Sequence, residues 1–204
     1  MERYRVSPEP SLEEQKPQVP RDSGSLGGCT HKVVLLLDGR EAREKWGSFA
    51  PPAKWKKLAR TCACHVFAEV GWRQKSCFVI SLSSDEKITE LNREYRGKDG
   101  PTNVLSFPSY NFSAPMVVAE DFAEPAAALR NDYMGLGDIY LAFETIFMEA
   151  SEYGISFLDH VSHLFVHSLL HLLGFDHVRP EDEEVMEALE VNMLGKIGVA
   201  NPYD

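Results

Sequence analysis

Short unbroken apolar runs alternate along the chain with apolar residues at three- and four-residue steps, which predicts strands interspersed with amphipathic helices. The first run, Val33–Leu37, predicts a strand in a sheet that is covered on both faces, and Asp38 and Gly39 then predict a turn. The connection over residues 110–135 is rich in Pro and Ala and contains a candidate edge strand at Met116–Val118. Further strands are predicted at three places, Cys77–Leu82, Asn103–Phe107 and Asp138–Ala142.

Two helices are predicted in the first half of the chain. From Lys54 onward, apolar residues recur on one face of a helix that ends at Gly71. Ser83 and Glu86 have the spacing of a capping box, which predicts a second helix that continues through Tyr95.

Two more helices are predicted near the carboxyl end. Ser156 with Asp159 predicts a cap for a helix over Phe157–Leu173, which Gly174 ends, and Pro180 suits the first turn of a last helix. Strands and helices alternate without strict βαβ regularity. The predicted fold class is therefore α+β, one domain with a mixed sheet of about four strands packed with about five helices.

Composition separates the first 28 residues from the rest of the chain. Residues 1–28 are rich in Pro, Glu, Ser and Gly, which predicts a disordered tail, and their glutamates argue against an organelle transit peptide. A chain of 204 residues with 44% hydrophobic residues is long enough for one core and too short for two ordinary domains. Residues 29–204 are therefore expected to form a single domain.

Several absences favour a soluble, cytoplasmic protein. No apolar run approaches the roughly 20 residues that a membrane-spanning helix needs, and the first 30 residues lack the apolar stretch of a secretory signal. The cysteines show no CxxC spacing, so free thiols in a reducing cytosol are expected at Cys29, Cys62, Cys64 and Cys77.

Histidine is scarce in this chain, with seven residues, yet five of them fall between positions 160 and 177. On a helix, His160, His163, His167 and His171 would share one face, separate from the apolar face. His167 and His171 lie one turn apart, and Gly174 allows the chain to turn so that His177 arrives beside them. The pattern HxxxHxxGxxH therefore predicts a three-histidine metal site on a helix–turn motif, with an open fourth position that is typical of catalytic zinc.

The spacing matches that of metzincin proteases, HExxHxxGxxH, except at one position. Those enzymes carry a glutamate that takes a proton from water, whereas this chain has Ser168, whose hydroxyl is no base near neutral pH. Ordinary metalloprotease chemistry is therefore disfavoured.

The histidine motif lies in the stretch 160–177 (HVSHLFVHSLLHLLGFDH), which is preceded by the segments 91–108 (LNREYRGKDGPTNVLSFP) and 136–139 (LGDI). These three segments resemble the YbeY family of rRNA-processing endoribonucleases, and the stretch 160–177 is similar to the family signature. The chain departs from the family at Ser168, where glycine is common, and at Phe175, where tyrosine is common. Neither position is one of the metal-binding histidines that the resemblance assigns.

The resemblance implies a site and a substrate. It assigns one zinc ion per chain to His167, His171 and His177, and catalysis to Arg96, whose planar guanidinium suits a phosphate. It also implies cleavage of single-stranded rRNA near the 3′ end of the small-subunit rRNA, in ribosome maturation and quality control. The implied partners are the small ribosomal subunit or its assembly factors.

The residues leave the mechanism and two other functional classes open. In the main hypothesis, zinc activates water and polarises a phosphoryl oxygen while Arg96 holds the scissile phosphodiester, although the RNA 2′-hydroxyl is an alternative nucleophile. A metallopeptidase-like hydrolase and a non-catalytic, ribosome-associated module with structural zinc are the alternatives.

The net charge of −10 argues against broad attraction to nucleic acid, so RNA binding would need a local basic cleft. Six residues are candidates for lining it, Lys54, Lys56, Lys57, Arg93, Arg96 and Lys98.

Overall fold

The structure, a computed structural model, describes residues 31–112 and 133–204, and its four strands form one mixed sheet. The strands are β1 (Lys32–Leu37), β2 (Ser76–Ser83), β3 (Val104–Pro108) and β4 (Met134–Ala142). Their order is β1-β2-β4-β3, with β1, β2 and β4 parallel and β3 antiparallel to β4. All four predicted strands are confirmed, whereas the candidate edge strand at 116–118 and the predicted tail over 1–28 lie outside the described residues.

Six helices surround the sheet in the described ranges, so the predicted α+β fold is confirmed with one helix more than expected. The predicted turn at Asp38 and Gly39 leads directly into an unpredicted helix, which buries only Ala42 and Trp46 and so lacks a readable apolar stripe. None of the six combines the length and the apolarity that crossing a membrane requires. They are α1 (Gly39–Phe49), α2 (Pro52–Glu69), α3 (Asp85–Arg96), α4 (Phe143–Tyr153), α5 (Phe157–Leu172) and α6 (Pro180–Lys196).

Strand β1 lies at the edge of the sheet, and the prediction that both its faces are covered is wrong. Val33 is 4% exposed and faces the core, whereas Leu36 is 49% exposed. An apolar run shows that a strand tolerates burial, but the position of the strand in the sheet decides which side chains are covered.

The predicted capping box of helix α3 is also wrong, because Ser83 is the last residue of β2. The Asp85 N–H at the start of α3 donates instead to Glu144 Oε2 at 2.9 Å. Asp85 Oδ1 in turn accepts the N–H of Thr145 in the first turn of α4, at 3.0 Å. The two helices therefore cap each other through residues that are far apart in sequence.

Aromatic residues from different elements anchor the start of helix α5. Trp46 of α1 contacts the rings of Trp55 in α2 and Phe157 in α5, and all three are no more than 1% exposed. The Trp46 indole N–H donates to the Ser83 carbonyl oxygen at the end of β2, at 2.9 Å. Helix α5 is thus fixed against α2 and the sheet, and α6 packs against both α5 and α2.

The free-thiol expectation holds for only part of the cysteines. Cys62, which is buried, and Cys77 have free thiols. Cys64 is disulfide-bonded, so the prediction is wrong for this residue.

Gly137 in β4 allows strand β3 and helix α5 to approach each other closely. Its φ is +139°, and a Cβ atom there would lie 2.2 Å from the Phe107 carbonyl oxygen and 3.0 Å from Leu172 Cδ2. Only glycine fits this backbone conformation and this spacing. The position matters for the cleft beside the histidine motif, because β3 and α5 form two of the walls of that cleft.

Gly137→Ala is expected to lower the free energy of unfolding by about 3 kcal/mol, through backbone strain and the clash with Phe107. Urea denaturation followed by circular dichroism measures the change. Gly135→Ala in the same strand is the matched control, because a Cβ atom added there would meet nothing within 4 Å beyond its chain neighbours. An equal effect of both substitutions would contradict this account.

Candidate metal centre

Helix α5 holds four of the histidines in place through its buried apolar face. Ser156 caps the helix as predicted, because its Oγ accepts the Asp159 N–H at 3.0 Å. Leu169 and Leu172 are fully buried on the side facing the core. His167 and His171, one turn apart, are half-buried on another face of the helix.

The third histidine of the motif arrives through a tight turn. Gly174 has a φ of +85° and its N–H donates to the His171 carbonyl oxygen at 3.0 Å, while the Phe175 N–H donates to the Leu170 carbonyl oxygen at 3.1 Å. Buried Phe175 then anchors the turn, and His177 follows it with its side chain exposed. The helix–turn motif is therefore present as predicted.

One ring nitrogen from each of His167, His171 and His177 lies within 4.8 Å of the other two. The Nε2 atoms of His167 and His171 are 3.1 Å apart. Their Nδ1 atoms form hydrogen bonds outside the cluster. His167 Nδ1 lies 2.9 Å from Glu190 Oε1, and His171 Nδ1 lies 2.9 Å from the Phe175 carbonyl oxygen. Since both of these oxygens accept, each Nδ1 donates and each Nε2 keeps a lone pair directed at the shared point.

The donor set fits a divalent cation. Burial, together with the neighbouring charges of His167 and His177, lowers the pKa of His171 to about 4, so its imidazole is neutral near pH 7. Neutral imidazoles are ligands for zinc and for several other transition metals. The three histidines therefore form a cluster that could hold a metal.

The other two histidines of the predicted stripe are paired with carboxylates. His160 Nε2 lies 2.7 Å from Glu149 Oε2, and His163 Nε2 lies 2.7 Å from Glu190 Oε2. His163, His167 and Glu190 also form a second group with ligand-type spacing. Because their atoms already satisfy one another by hydrogen bonds, the first group is the better candidate for a metal.

Sequence reasoning missed Glu149, Glu190 and Tyr203, which contact the histidine stripe. For Glu190, the sequence of α6 did contain a signal. Glu190 lies four residues after Met186 and four before Leu194, on the side of the helix where apolar residues recur. A carboxylate in such a stripe indicates a buried partner. No comparable signal marks Tyr203.

Arg96 and the three histidines line one cleft of about 830 Å³. Arg96 is the last residue of α3, which ends at Gly97 with a φ of +63°. Its guanidinium is exposed and has no hydrogen-bond or ion-pair partner among residues 31–112 and 133–204. The predicted catalytic arginine is therefore placed in the same cleft as the predicted metal ligands.

The walls of the cleft are mainly aromatic and polar. Among the described residues, Arg96 is the only one of the six candidate basic residues that lines it, and Asp176 is the only carboxylate. Of the local basic cleft predicted from the sequence, the described residues therefore supply only the Arg96 guanidinium. The aromatic lining residues are Tyr95, Phe107, Tyr110, Phe112 and Phe175.

Ser168, which follows the first histidine of the motif, is fully buried. It is not among the lining residues of the cleft, and its hydroxyl has no hydrogen-bond partner within the described parts of the chain. The position that carries a catalytic glutamate in metzincin proteases therefore supplies no base here.

Comparison with known proteins agrees with the resemblance of the motifs. The chain matches the family model described as Endoribonuclease YbeY over residues 42–198. A Ruegeria pomeroyi protein named Endoribonuclease YbeY is 40% identical over 173 residues, which cover 83% of this chain and 98% of that protein. A protein of the same name from Methylocella silvestris is 41% identical over 170 residues, with coverages of 82% and 85%.

A solved structure is also similar, the solution structure of TM1509 from Thermotoga maritima. It is 24% identical, with a TM-score of 0.44, and the match covers 80% of this chain and 90% of that chain. Because the family model spans most of the chain and the relatives align over most of their length, this chain belongs to the endoribonuclease YbeY family.

Proposed function

We propose that this protein is a zinc-dependent endoribonuclease that cleaves single-stranded RNA. The observation that carries the proposal is the cleft in which Arg96 lies together with His167, His171 and His177. An arginine without a partner among the described residues and a cluster of imidazole lone pairs suit the two demands of phosphodiester cleavage, which are phosphate binding and stabilisation of developing charge.

The residues of the chain have separate roles in this proposal. His167, His171 and His177 would hold a divalent cation, which would supply Lewis-acid chemistry for the activation of water and for the stabilisation of negative charge on a phosphoryl oxygen. Arg96 binds the non-bridging oxygens of the scissile phosphate through its guanidinium and orients the phosphate toward the histidines. Zinc is the proposed ion because three imidazoles with an open position form a typical catalytic zinc site.

The cleft walls favour a single strand over a duplex. Tyr95 is 62% exposed beside Arg96, and its ring contacts that of Phe107 at a centroid distance of 5.1 Å. Exposed aromatic rings stack on unpaired bases, which a duplex does not present. The net charge of −10 keeps general attraction to nucleic acid low, so binding depends on this cleft.

Two nucleophiles are compatible with the site, water and the 2′-hydroxyl of the RNA. Asp176 is the only carboxylate among the described lining residues, and its Oδ1 accepts the His177 N–H at 2.8 Å. Water attack breaks the phosphodiester into a phosphate end and a hydroxyl end, whereas 2′-hydroxyl attack leaves a 2′,3′-cyclic phosphate on one product and expels the other product with a 5′-hydroxyl end. Mass spectrometry of the products therefore distinguishes the two routes.

A metallopeptidase-like hydrolase and a module with structural zinc are weaker alternatives. Buried Ser168 offers no base for peptide hydrolysis, and the relatives from Ruegeria pomeroyi and Methylocella silvestris are named endoribonucleases. A structural metal site is normally closed by four protein ligands, whereas these three histidines face an open cleft.

The proposed cellular role follows from the family resemblance. The substrate would be precursor rRNA near the 3′ end of the small-subunit rRNA, and the role would be in ribosome maturation and quality control in the cytoplasm. The proposed partners are the small ribosomal subunit or its assembly factors.

The zinc-loaded protein is expected to cleave a single-stranded RNA that carries the small-subunit rRNA 3′ end, and to leave the same sequence uncleaved as a duplex. Removing the metal with a chelator should abolish cleavage, and returning Zn²⁺ should restore it. Gel analysis of labelled RNA measures this, with an unstructured peptide as a second substrate. Cleavage of the peptide alone, or RNA cleavage that persists after chelation, would contradict the proposal.

A further inference from the structure

Glu190 of helix α6 is a carboxylate in the protein interior, with 1% of its surface exposed. Burying a charged carboxylate is costly unless hydrogen bonds or opposite charges compensate for the lost water. Its partners therefore indicate why the chain keeps an acidic residue in this position.

Three groups surround the Glu190 carboxylate. His167 Nδ1 lies 2.9 Å from Oε1, while His163 Nε2 lies 2.7 Å from Oε2. The Tyr203 hydroxyl also donates to Oε2, at 2.5 Å. Glu190 thus connects a candidate metal ligand on one side with a histidine and a tyrosine on the other.

The geometry around Glu190 fits a carboxylate that accepts from all three neighbours. The Tyr203 O–H donates to Oε2, and the His163 and His167 rings can each donate a ring N–H to the oxygen that they face. A proton on the carboxyl group would have to replace one of these three hydrogen bonds. The arrangement therefore favours a His167 ring that donates its Nδ1 proton to Glu190.

Tyr203 reaches this network through a turn in the last residues of the chain. The Tyr203 N–H donates to Asn201 Oδ1 at 3.1 Å, and Asn201 Nδ2 donates to Asp204 Oδ1 at 2.8 Å. The Tyr203 ring contacts the His163 ring edge to face, at a centroid distance of 5.7 Å. The carboxyl-terminal segment therefore packs against the histidine stripe at His163 and Glu190, and Tyr203 is not among the residues that line the Arg96 cleft.

We propose that Glu190 and Tyr203 are positioning residues of the metal centre, an inference that rests on the metal binding in the proposed function. Glu190 holds the His167 ring in the tautomer with the proton on Nδ1, so that the Nε2 lone pair is directed at the metal position. Tyr203 orients the Glu190 carboxylate from the opposite side. Such outer hydrogen bonds raise the affinity of a site because the ligand is already oriented before the metal binds.

The chain contains a matched pair of control residues. Glu149 accepts a hydrogen bond from His160 of the same helix stripe at 2.7 Å, but His160 is not in the three-histidine cluster. Tyr153 contacts the His160 ring as Tyr203 contacts the His163 ring. The two glutamates and the two tyrosines line one cavity of about 320 Å³, so the controls share the surroundings of the residues under test.

The first experiment measures the dissociation constant for Zn²⁺ by competition with a chromophoric chelator. Glu190→Gln is expected to weaken Zn²⁺ binding by roughly 10–100-fold. An amide has only one acceptor oxygen, so it cannot accept from His167 on one side and from His163 and Tyr203 on the other. Tyr203→Phe should weaken binding by about threefold, since the His167 hydrogen bond remains. Glu149→Gln and Tyr153→Phe should leave the affinity unchanged.

The second experiment records histidine ¹⁵N chemical shifts of the metal-free protein, which report the tautomer of each ring. His167 is expected to carry its proton on Nδ1 in the wild type and in Glu149→Gln, and to lose this preference in Glu190→Gln. A merely structural role would leave the tautomer unchanged. Tyr203 is partly exposed, so the Tyr203→Phe variant is expected to fold. If this variant and a folded Glu190→Gln variant both retain the wild-type affinity for Zn²⁺ and the wild-type tautomer of His167, the inference is overturned.

The outcomes also separate this inference from the proposed function. If the wild type binds Zn²⁺ and cleaves RNA, and the Glu190→Gln and Tyr203→Phe variants bind Zn²⁺ as tightly, only the positioning roles are overturned. A wild type that binds no metal would overturn both.

Discussion

Arg96→Ala is expected to slow RNA cleavage by about 10³-fold while the protein stays folded and still binds Zn²⁺. The exposed guanidinium has no partner among the described residues, so its removal costs little stability. It is also the only lysine or arginine among the described residues of the cleft. Without the Arg96 guanidinium, the scissile phosphate would lose the side chain that orients it and the positive charge that offsets its negative charge. Single-turnover kinetics on the single-stranded RNA substrate measure the effect.

Arg93→Ala is the matched control for this variant. Arg93 lies one turn earlier on α3, pairs with Asp99 at 2.8 Å and does not line the cleft. It should cleave RNA at nearly the wild-type rate, while Arg96→Lys should recover only part of the lost activity because an ammonium lacks the planar fork. Equal activity of Arg96→Ala and the wild type would remove Arg96 from the mechanism.

His177→Ala is expected to abolish cleavage by removing one of the three predicted ligands. The His177 side chain is exposed, so the substitution leaves no cavity in the core. Zn²⁺ affinity should fall by more than the roughly 10–100-fold that the loss of an outer hydrogen bond costs. Isothermal titration calorimetry measures the binding, and the same RNA assay measures the activity.

His65→Ala on helix α2 is the control, because it removes a histidine that is not a candidate metal ligand. His65 belongs to neither of the two groups that have the spacing of metal ligands. It should bind Zn²⁺ and cleave RNA as the wild type does. Excess Zn²⁺ should restore part of the activity of His177→Ala, since two histidines remain and binding follows mass action. Wild-type affinity in His177→Ala would show that the metal is held elsewhere.

Local patterns determined the parts of this protein that depend on neighbours in sequence. The apolar runs located all four strands, and the apolar face with the Ser156 cap located α5. The spacing of His167, His171 and His177 predicted their convergence, because a helical turn and one glycine turn fix those distances locally. The place of Arg96 in the site came only from the resemblance of its segment to the YbeY family.

Tertiary structure decided the features that join distant segments. Leu36 is exposed because β1 lies at the sheet edge, and α3 is capped by Glu144 rather than by Ser83. Arg96 meets the histidines because β3, which follows α3, packs beside α5. The Glu190 network likewise depends on the packing of α6 and the carboxyl-terminal turn against α5. Capping and periodicity act within a few residues, whereas these contacts depend on strand order and on which faces are buried together.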